Sequence, residues 1–407
     1  MTPRASSRAP ALSGLRVVEL GSLIAGPFAG RLLADFGAEV IKVEDPRHPD
    51  PLREWGQARL GGNTLWWSVQ SRGKRLITLD LRSDKGRQLL RRLLPAADVL
   101  IENFRPGTLE NWGLAPEELW SVNPGLVIAR VSGYGQTGSN AQKPGYASVA
   151  EAYGGMRYLN GTPGEPPPRT GLSMGDTLAA MFAMQGILTA LYWRDARGGR
   201  VGQVVDVSLV ESCFAMLESV ASEYGATGEI RQPSGTSQKG IAPSNLFRSS
   251  DEGWVIIAAN QDSVFSRLAN AMDRPDLLDD PRFARHTKRG EHQEEIEAIV
   301  AAWAKTLTSR ELLDTLSRAA VPAGPVHTIA DIFADPYFRE REQLVEVNDP
   351  ALGKIVMPGV VPRLSATPGA VGRPGPLVPG HDNVEVYGAV AGLSEQEIRS
   401  LEAEGII

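Results

Sequence analysis

Residues 16–44 constrain this chain more than any other stretch. Arg16 to Leu20 (RVVEL) is a short apolar run, and GSLIAGP follows as a glycine-containing loop. Residues 28–36 then read as a helix with Pro27 in its first turn, Gly37 ends it, and residues 39–44 (EVIKVE) form a second strand. Strand, helix and strand in this order make a βαβ unit, which needs two parallel strands with a helix across one face of the sheet. The alternation recurs as strand 76–81, helix 84–94, strand 98–102, helix 116–122 and strand 126–132, with a further strand at 203–207. The expected fold class is α/β, a doubly wound parallel sheet with a ligand crevice at the carboxyl ends of its strands.

Composition narrows what such a sheet can serve. Of 407 residues, 42% are hydrophobic and 22% charged, which excludes a disordered or fibrous chain. Lys and Arg number 42 against 48 Asp and Glu, a net charge of -6, so the basic face that phosphate backbones require is not expected and nucleic acid is excluded as the main partner. One cysteine, Cys213, rules out a disulfide framework or a Cys-based metal site. The histidines (His48, His286, His292, His327, His381) are scattered, with no HxxxH or HExxH spacing, so no metal is expected. Residues 1–10 are polar and basic without an apolar core, which reads as a disordered leader and not a signal peptide or anchor. TLAAMFAMQGILTALYW, residues 177–193, is interrupted by Gln185 and Gly186 and reads as a buried core helix. A cytoplasmic location is expected.

The rest of the chain is less periodic. Residues 133–175 contain GYGQTGS, NGTPGEPPPRTG and GLSMGD, with aromatic and charged residues among the glycines, and read as a long functional loop region. A helix is expected over 208–224. After a composition change at 225–244, a strand at 253–259 and helical patterns at 262–272, 291–307 and 309–320 predict a smaller α+β domain. Residues 328–379 are Pro-rich and read as extended, and Ser394 and Glu397 form a capping box that opens a last helix ending at Gly405.

Candidate chemistry sits in the loops. Asp176 stands at the expected N-cap of the helix after GLSMGD, where a cap is the ordinary role of an aspartate. The same helix end would keep its carboxylate ionised, and Gly171 and Gly175 leave room for an acyl group that it could attack. GSLIAGP is not a GxGxxG fingerprint, although Gly21 and Gly26 leave space for phosphate or adenine as readily as for a tight turn. Glu44 ends a strand where an acid can meet a ribose or solvent. Arg72, Lys74 and Arg75 could bind phosphates or form a solvated turn, and Asn103, Phe104 and Arg105 follow a buried strand at the crevice end. There is no GxSxG, no Walker sequence and no persuasive Ser-His-Asp order, and Cys213 lies in an apolar helix as a packed thiol.

The order of segments says more than any one of them. LSGLRVVELGSLIAGPFAGRLLADFGAEVIKVE, GKRLITLDL, DVLIENFRPGTLENWGL, SGYGQTGS and GLSMGDTLAAMFAMQGILTALYWRDARGGRVGQVVDVSL run from Leu12 onward in a sequence that resembles the class III coenzyme A-transferases, the group of formyl-CoA transferase, carnitine CoA-transferase and α-methylacyl-CoA racemase. The resemblance implies an interlaced homodimer, a large α/β domain made from both chain ends, and a smaller α+β domain. On that pattern residues 11–207 are the first part of the CoA-binding domain, 208–227 a linker helix, 228–327 the small domain, 328–389 an extended connector and 390–407 a C-terminal helix returning to the large domain.

The resemblance further implies that Asp176 is the nucleophile, forming an aspartyl mixed anhydride and then an aspartyl-CoA thioester. Coenzyme A thioesters are then substrates, and no permanently bound cofactor or metal is needed. It puts Leu23 and Ile24 in the adenosine-contact loop, Lys74 and Arg75 near the CoA phosphates, and Asn103, Phe104 and Arg105 near the pantetheine and adenine end. Tyr146 aligns with an active-site tyrosine. The chain departs from formyl-CoA transferase at Asp45, in place of an arginine, and at SGTSQKG, residues 234–240, in place of a glycine run. It departs from the racemases at PGYAS, where Tyr146 and Ala147 replace His and Asp, and a tyrosine with a pKa of about 10 is a poor proton shuttle at neutral pH.

GYGQTG and GKIVMPGVVPRLSATPG look most like the subgroup that takes CoA from succinyl-CoA to small dicarboxylates such as malate or citramalate. A distal carboxylate needs a cation, for which Arg169 is nearest to Asp176 in sequence, with Arg47, Arg53 and Lys143 as others. A racemase-type isomerase and a CoA-binding partner subunit of a hetero-oligomeric transferase are the alternative activities on this fold.

Overall fold

The structure, a computed structural model, describes residues 8–407, so most of the expected leader over residues 1–10 lies outside the described residues. The chain divides into two compact units. The first runs to Met156 and adds Arg169–Glu218 and Tyr337–Ile407, and the second comprises Arg157–Pro168 and Ser219–Pro336.

The first unit is built on six parallel strands: β1 (Arg16–Glu19), β2 (Glu39–Glu44), β3 (Lys74–Thr78), β4 (Val99–Glu102), β5 (Val127–Ser132) and β6 (Val204–Ser208). Their spatial order is β3-β2-β1-β4-β5-β6, so the order reverses between β1 and β4. That reversal opens a crevice at the strands' carboxyl ends. The sheet is buried on both faces. Val18, Ile41, Ile77 and Leu100 belong to one core, and Val17, Val40, Val99 and Ile101 to the other. Helices α1 (Ala25–Asp35), α2 (Leu65–Gln70), α3 (Asp84–Leu93) and α4 (Pro116–Val122) occupy the connections between the first five strands.

The region read as loop holds two short helices, α5 (Ala147–Tyr153) and Met156–Leu159, and the expected core helix is α6 (Met174–Ala196). By length and composition α6 is the one helix among the described residues that could cross a membrane. In this fold its narrow face of small residues, Gly175, Ala179, Ala180, Ala183 and Ala190, packs into the second core. Gly186 permits the close approach, because a Cβ there would collide with Val205. The helix expected over 208–224 is instead α7 (Leu209–Phe214) and a separate helix, Val220–Thr227, with Glu218 between them in left-handed backbone. Ser208 caps α7 by accepting a hydrogen bond from the Glu211 N–H.

The stretch read as extended is not uniformly so. It carries the short helices Ile329–Ala334 and Pro336–Glu340, an antiparallel hairpin pairing Leu344–Asp349 with Gly353–Pro358, and the helix Asn383–Ala389. A capping box of Thr328 and Asp331 starts the first of these helices. Residues 382–387 seal the open edge of the sheet. Asp382 accepts from the Leu76 N–H at 2.7 Å, Asn383 accepts from the Thr78 N–H at 2.9 Å, and the Tyr387 hydroxyl donates to the Thr78 carbonyl at 2.6 Å.

The second unit has a three-stranded antiparallel sheet of Ser244–Arg248, Trp254–Ala258 and Ala323–Pro325, with the central strand Trp254–Ala258. Phe247, Val255, Phe265, Phe283, Val300 and Leu316 lie in its core. Buried Arg289 donates to the carbonyls of Phe283 and Asn260 at 2.8 and 2.6 Å and pairs with Asp262 at 2.8 Å, which satisfies a charge that burial would otherwise make costly.

Candidate active site

The loop between β1 and α1 crosses the crevice, and its shape is set from below. Leu23 holds a left-handed backbone, φ +64°, that a branched side chain rarely adopts. Its N–H donates to Asp50 at 3.0 Å, and Asp50 pairs with buried Lys42 at 2.8 Å. Burial alone would lower the Lys42 proton affinity, but Asp50, Glu19 and Glu44 outweigh it and raise it above the ordinary value. Lys42 also donates to the Gly21 carbonyl at 2.7 Å. From the other side of the crevice, Asn103 accepts from the Ser22 N–H and donates to the Ser22 carbonyl, both at 2.8 Å. A Cβ at Gly21 would stand 2.7 Å from the Asn103 side-chain oxygen, so only glycine lets these two loops meet.

Beyond this pair of loops is a cavity of about 540 Å³. Leu23, Ile24, Asn103, Phe104, Arg105, Tyr146, Arg169 and Asp176 all line it, together with Trp55, Lys143 and Ser173. A smaller cavity of about 190 Å³ lies over the ends of β1 and β2, lined by Glu44, Asp45, His48, Arg82 and Trp112 among others. Ser22 and Phe104 line both cavities.

Asp176 is not the N-cap. Helix α6 begins three residues earlier than expected, with Ser173 at the cap position, so Asp176 falls in the first turn. Its carboxylate is thereby released from capping. Burial raises its pKa to about 6, the charge of Glu151 adds to the rise, and Arg169 opposes it. The helix end is expected to keep this carboxylate ionised; burial and Glu151 push the other way, to a value still below neutral pH. Cys213 is fully buried nearby. Burial, then the charges of Glu151 and Asp176, push its thiol up to about 11, so it stays protonated and unreactive at neutral pH.

Lys74 and Arg75 do not join this cavity; they line another cleft. Lys74 is fully buried and pairs with Glu19 at 2.8 Å, while burial lowers its pKa to about 8 against the pull of Glu19. Arg75 pairs with Glu39 at 3.4 Å and Glu385 at 3.2 Å. Nor do Arg47 and Arg53 line the cavity. Arg47 pairs with Asp80, and Arg53 pairs with Glu44 and stacks on the Trp67 ring at 3.8 Å.

Two supporting residues, Glu102 and Asp50, were not singled out by the sequence. Glu102 accepts from the Phe104 N–H at 2.7 Å and from Arg130 at 2.7 Å, and burial, against the pull of Arg130, raises its pKa to about 7. It sits one residue before the Asn103 loop, as Asp50 sits beneath the Leu23 loop. Only the position of Glu102 at a strand end hinted at this. Among the described residues no cluster of His, Cys, Asp or Glu could hold a metal ion.

The sequence model of the CoA-transferase family III matches residues 12–383. This chain belongs to that family. The transferase is 49% identical over 396 residues to a succinyl-CoA–D-citramalate CoA-transferase of Chloroflexus aurantiacus, covering 97% of this chain and 98% of the relative. It is 40% identical to the alpha subunit of a succinyl-CoA–L-malate CoA-transferase of Chloroflexus aurantiacus, over 100% of this chain and 95% of that one. Its structure is similar to that of a CAIB/BAIF family protein from Brucella suis, with a TM-score of 0.81, 33% identity, and coverage of 94% of this chain and 100% of the other.

Proposed function

We propose that this transferase moves CoA from succinyl-CoA to a small dicarboxylic acid, citramalate or malate being the class of acceptor, with Asp176 as the nucleophile. The observation that carries the reading is Asp176 itself. Its carboxylate is free of capping, largely removed from water, and faces a cavity whose cations are Arg105, Lys143 and Arg169. The activities for which the two Chloroflexus relatives are named support the choice of donor and acceptor.

An Asp176 oxygen attacks the thioester carbonyl, a C–O bond forms, the C–S bond breaks, and CoA leaves as thiolate. The thiolate attacks the aspartyl carbonyl, forming a new C–S bond and expelling the donor carboxylate. The acceptor carboxylate then attacks the aspartyl thioester, and the released thiolate cleaves the second anhydride to give the new CoA ester and regenerate Asp176. No bond energy is lost between the start and end of this exchange, so no nucleotide is consumed. The pantetheine arm of CoA would pass Ser22 and Phe104 in the larger cavity, with the adenosine end against the Leu23–Ile24 loop. Arg169 would grip the acceptor's distal carboxylate, with Tyr146 lining the approach.

Association as an interlaced homodimer is supported by apolar side chains left exposed on the first unit, among them Met181, Tyr192, Trp193 and Phe214. A cytoplasmic location fits a chain whose one cysteine is unpaired. The test is to mix the purified chain with succinyl-CoA and a panel of acids and follow new CoA esters by mass. Transfer to dicarboxylates by this chain alone supports the reading. Exchange of an α-hydrogen with solvent and no transfer would indicate an isomerase, and silence without a second chain would indicate a partner subunit.

A further inference from the structure

Glu151 has no part in the reaction as proposed, and it does not line the cavity. It lies on α5, 2% exposed, and its side-chain oxygen accepts a hydrogen bond from the Gly175 N–H at 3.1 Å. The two helices meet there at backbone level, since a Cβ on Gly175 would stand 3.1 Å from the Ala147 carbonyl oxygen. Gly175 immediately precedes Asp176, so the turn that Glu151 holds is the turn that carries the nucleophile. A glutamine could accept the same hydrogen bond without the cost of burying a charge next to another carboxylate. The charge therefore calls for its own explanation.

We infer that Glu151 is a positioning residue for the nucleophile: through the Gly175 N–H it fixes the first turn of α6, and it sets a second, buried carboxylate beside that of Asp176. This rests on the reading of Asp176 as the nucleophile. Among carboxylates of like structure, the more basic oxygen is the better nucleophile, so the charge serves the attacking step directly. The other groups around Asp176 are few. Arg169 faces it from the preceding loop and opposes Glu151, Cys213 faces it from α7 as a neutral thiol, and Arg105, Lys143 and Tyr146 line the remaining cavity wall.

The deciding experiment is a carboxyl ¹³C NMR titration of the full-length enzyme labelled at aspartate, with the Asp176 resonance assigned by its loss in Asp176→Asn. The wild-type midpoint is expected near pH 6. In Glu151→Gln, which keeps the acceptor for Gly175, the midpoint should fall by about one pH unit, as loss of a like charge requires. The acid limb of kcat/KM should move with it, while KM for the thioester stays within about twofold. Superimposable titrations of the two proteins overturn the inference. Glu151→Met, similar in length and uncharged, serves the same comparison if the amide variant does not fold. The titration needs no turnover, so it judges Glu151 separately from the proposed reaction, which fails only if Asp176→Asn still transfers CoA.

Discussion

As the proposed nucleophile, Asp176 combines two demands that oppose each other. A nucleophile must be ionised, and a site that excludes water from an acyl intermediate penalises ionisation. The outcome is a carboxylate held near 6 by burial first and by Glu151 second. Activity should therefore fall as pH drops through about 6, because the protonated acid cannot attack. The same group sets a stability relation of definite sign. Its folded pKa lies above the unfolded value of about 4, so the folded chain binds this proton more tightly and loses that stabilisation as pH rises through the folded value. Asp176→Asn should abolish transfer yet raise the melting free energy by on the order of 1–2 kcal/mol at about pH 8, after a discount for screening, with no gain below about pH 4. Thermal melts across pH check this. Arg169→Ala should raise KM for a dicarboxylate acceptor by about 10- to 100-fold and leave a monocarboxylate acceptor nearly unchanged, since a charge-assisted pair is worth about 1.5–3 kcal/mol. At this scale the sequence was legible where a residue touches the cavity. Leu23, Ile24, Asn103, Phe104, Arg105, Tyr146, Arg169 and Asp176 converge there. It was illegible where a charge is consumed internally, because nothing in the RGKR segment tells that Lys74 turns inward to Glu19.

The elements that carry these residues are set by small contacts at their ends. Strands β1, β2, β4 and β5 were readable because apolar runs bounded by turn residues leave few alternatives, and the β1–α1–β2 unit carried the strongest pattern. Helix α5 was not readable. ASVAEAY is too short to show a period, and the glycines around it argue for loop, yet Ala147 and Ala150 pack against the core and hold it helical. The start of α6 lies three residues before the expected one because Asp is the stronger cap by type, while the backbone begins its turn at Ser173. Beneath the Leu23 loop, Lys42 balances Glu19 and Asp50 in one buried network. Lys42→Met should cost about 3–5 kcal/mol in urea unfolding, because it takes the cation from buried Asp50 and leaves Glu19 with Lys74 alone. A loss below about 1 kcal/mol would show that the network is hydrated and does not fix the loop.

For the molecule as a whole, the parallel sheet supplies the crevice and the C-terminal residues close its open edge. Tyr387→Phe removes one buried hydroxyl from the Thr78 carbonyl and should lower stability by about 1–2 kcal/mol while kcat is unchanged, as read by urea midpoint and steady-state rates on the same sample. How sequence-distant segments meet was beyond the local pattern: Asp382 and Asn383 reach β3 across some three hundred positions, and no propensity reports such a pairing. The proposed reaction asks the molecule to hold CoA covalently between departure of one acid and arrival of the next. The most direct test of that claim is to quench the enzyme during turnover with succinyl-CoA in hydroxylamine and sequence its peptides by mass. The hydroxamate is predicted at Asp176 and nowhere else; full turnover with that side chain never labelled would contradict the account.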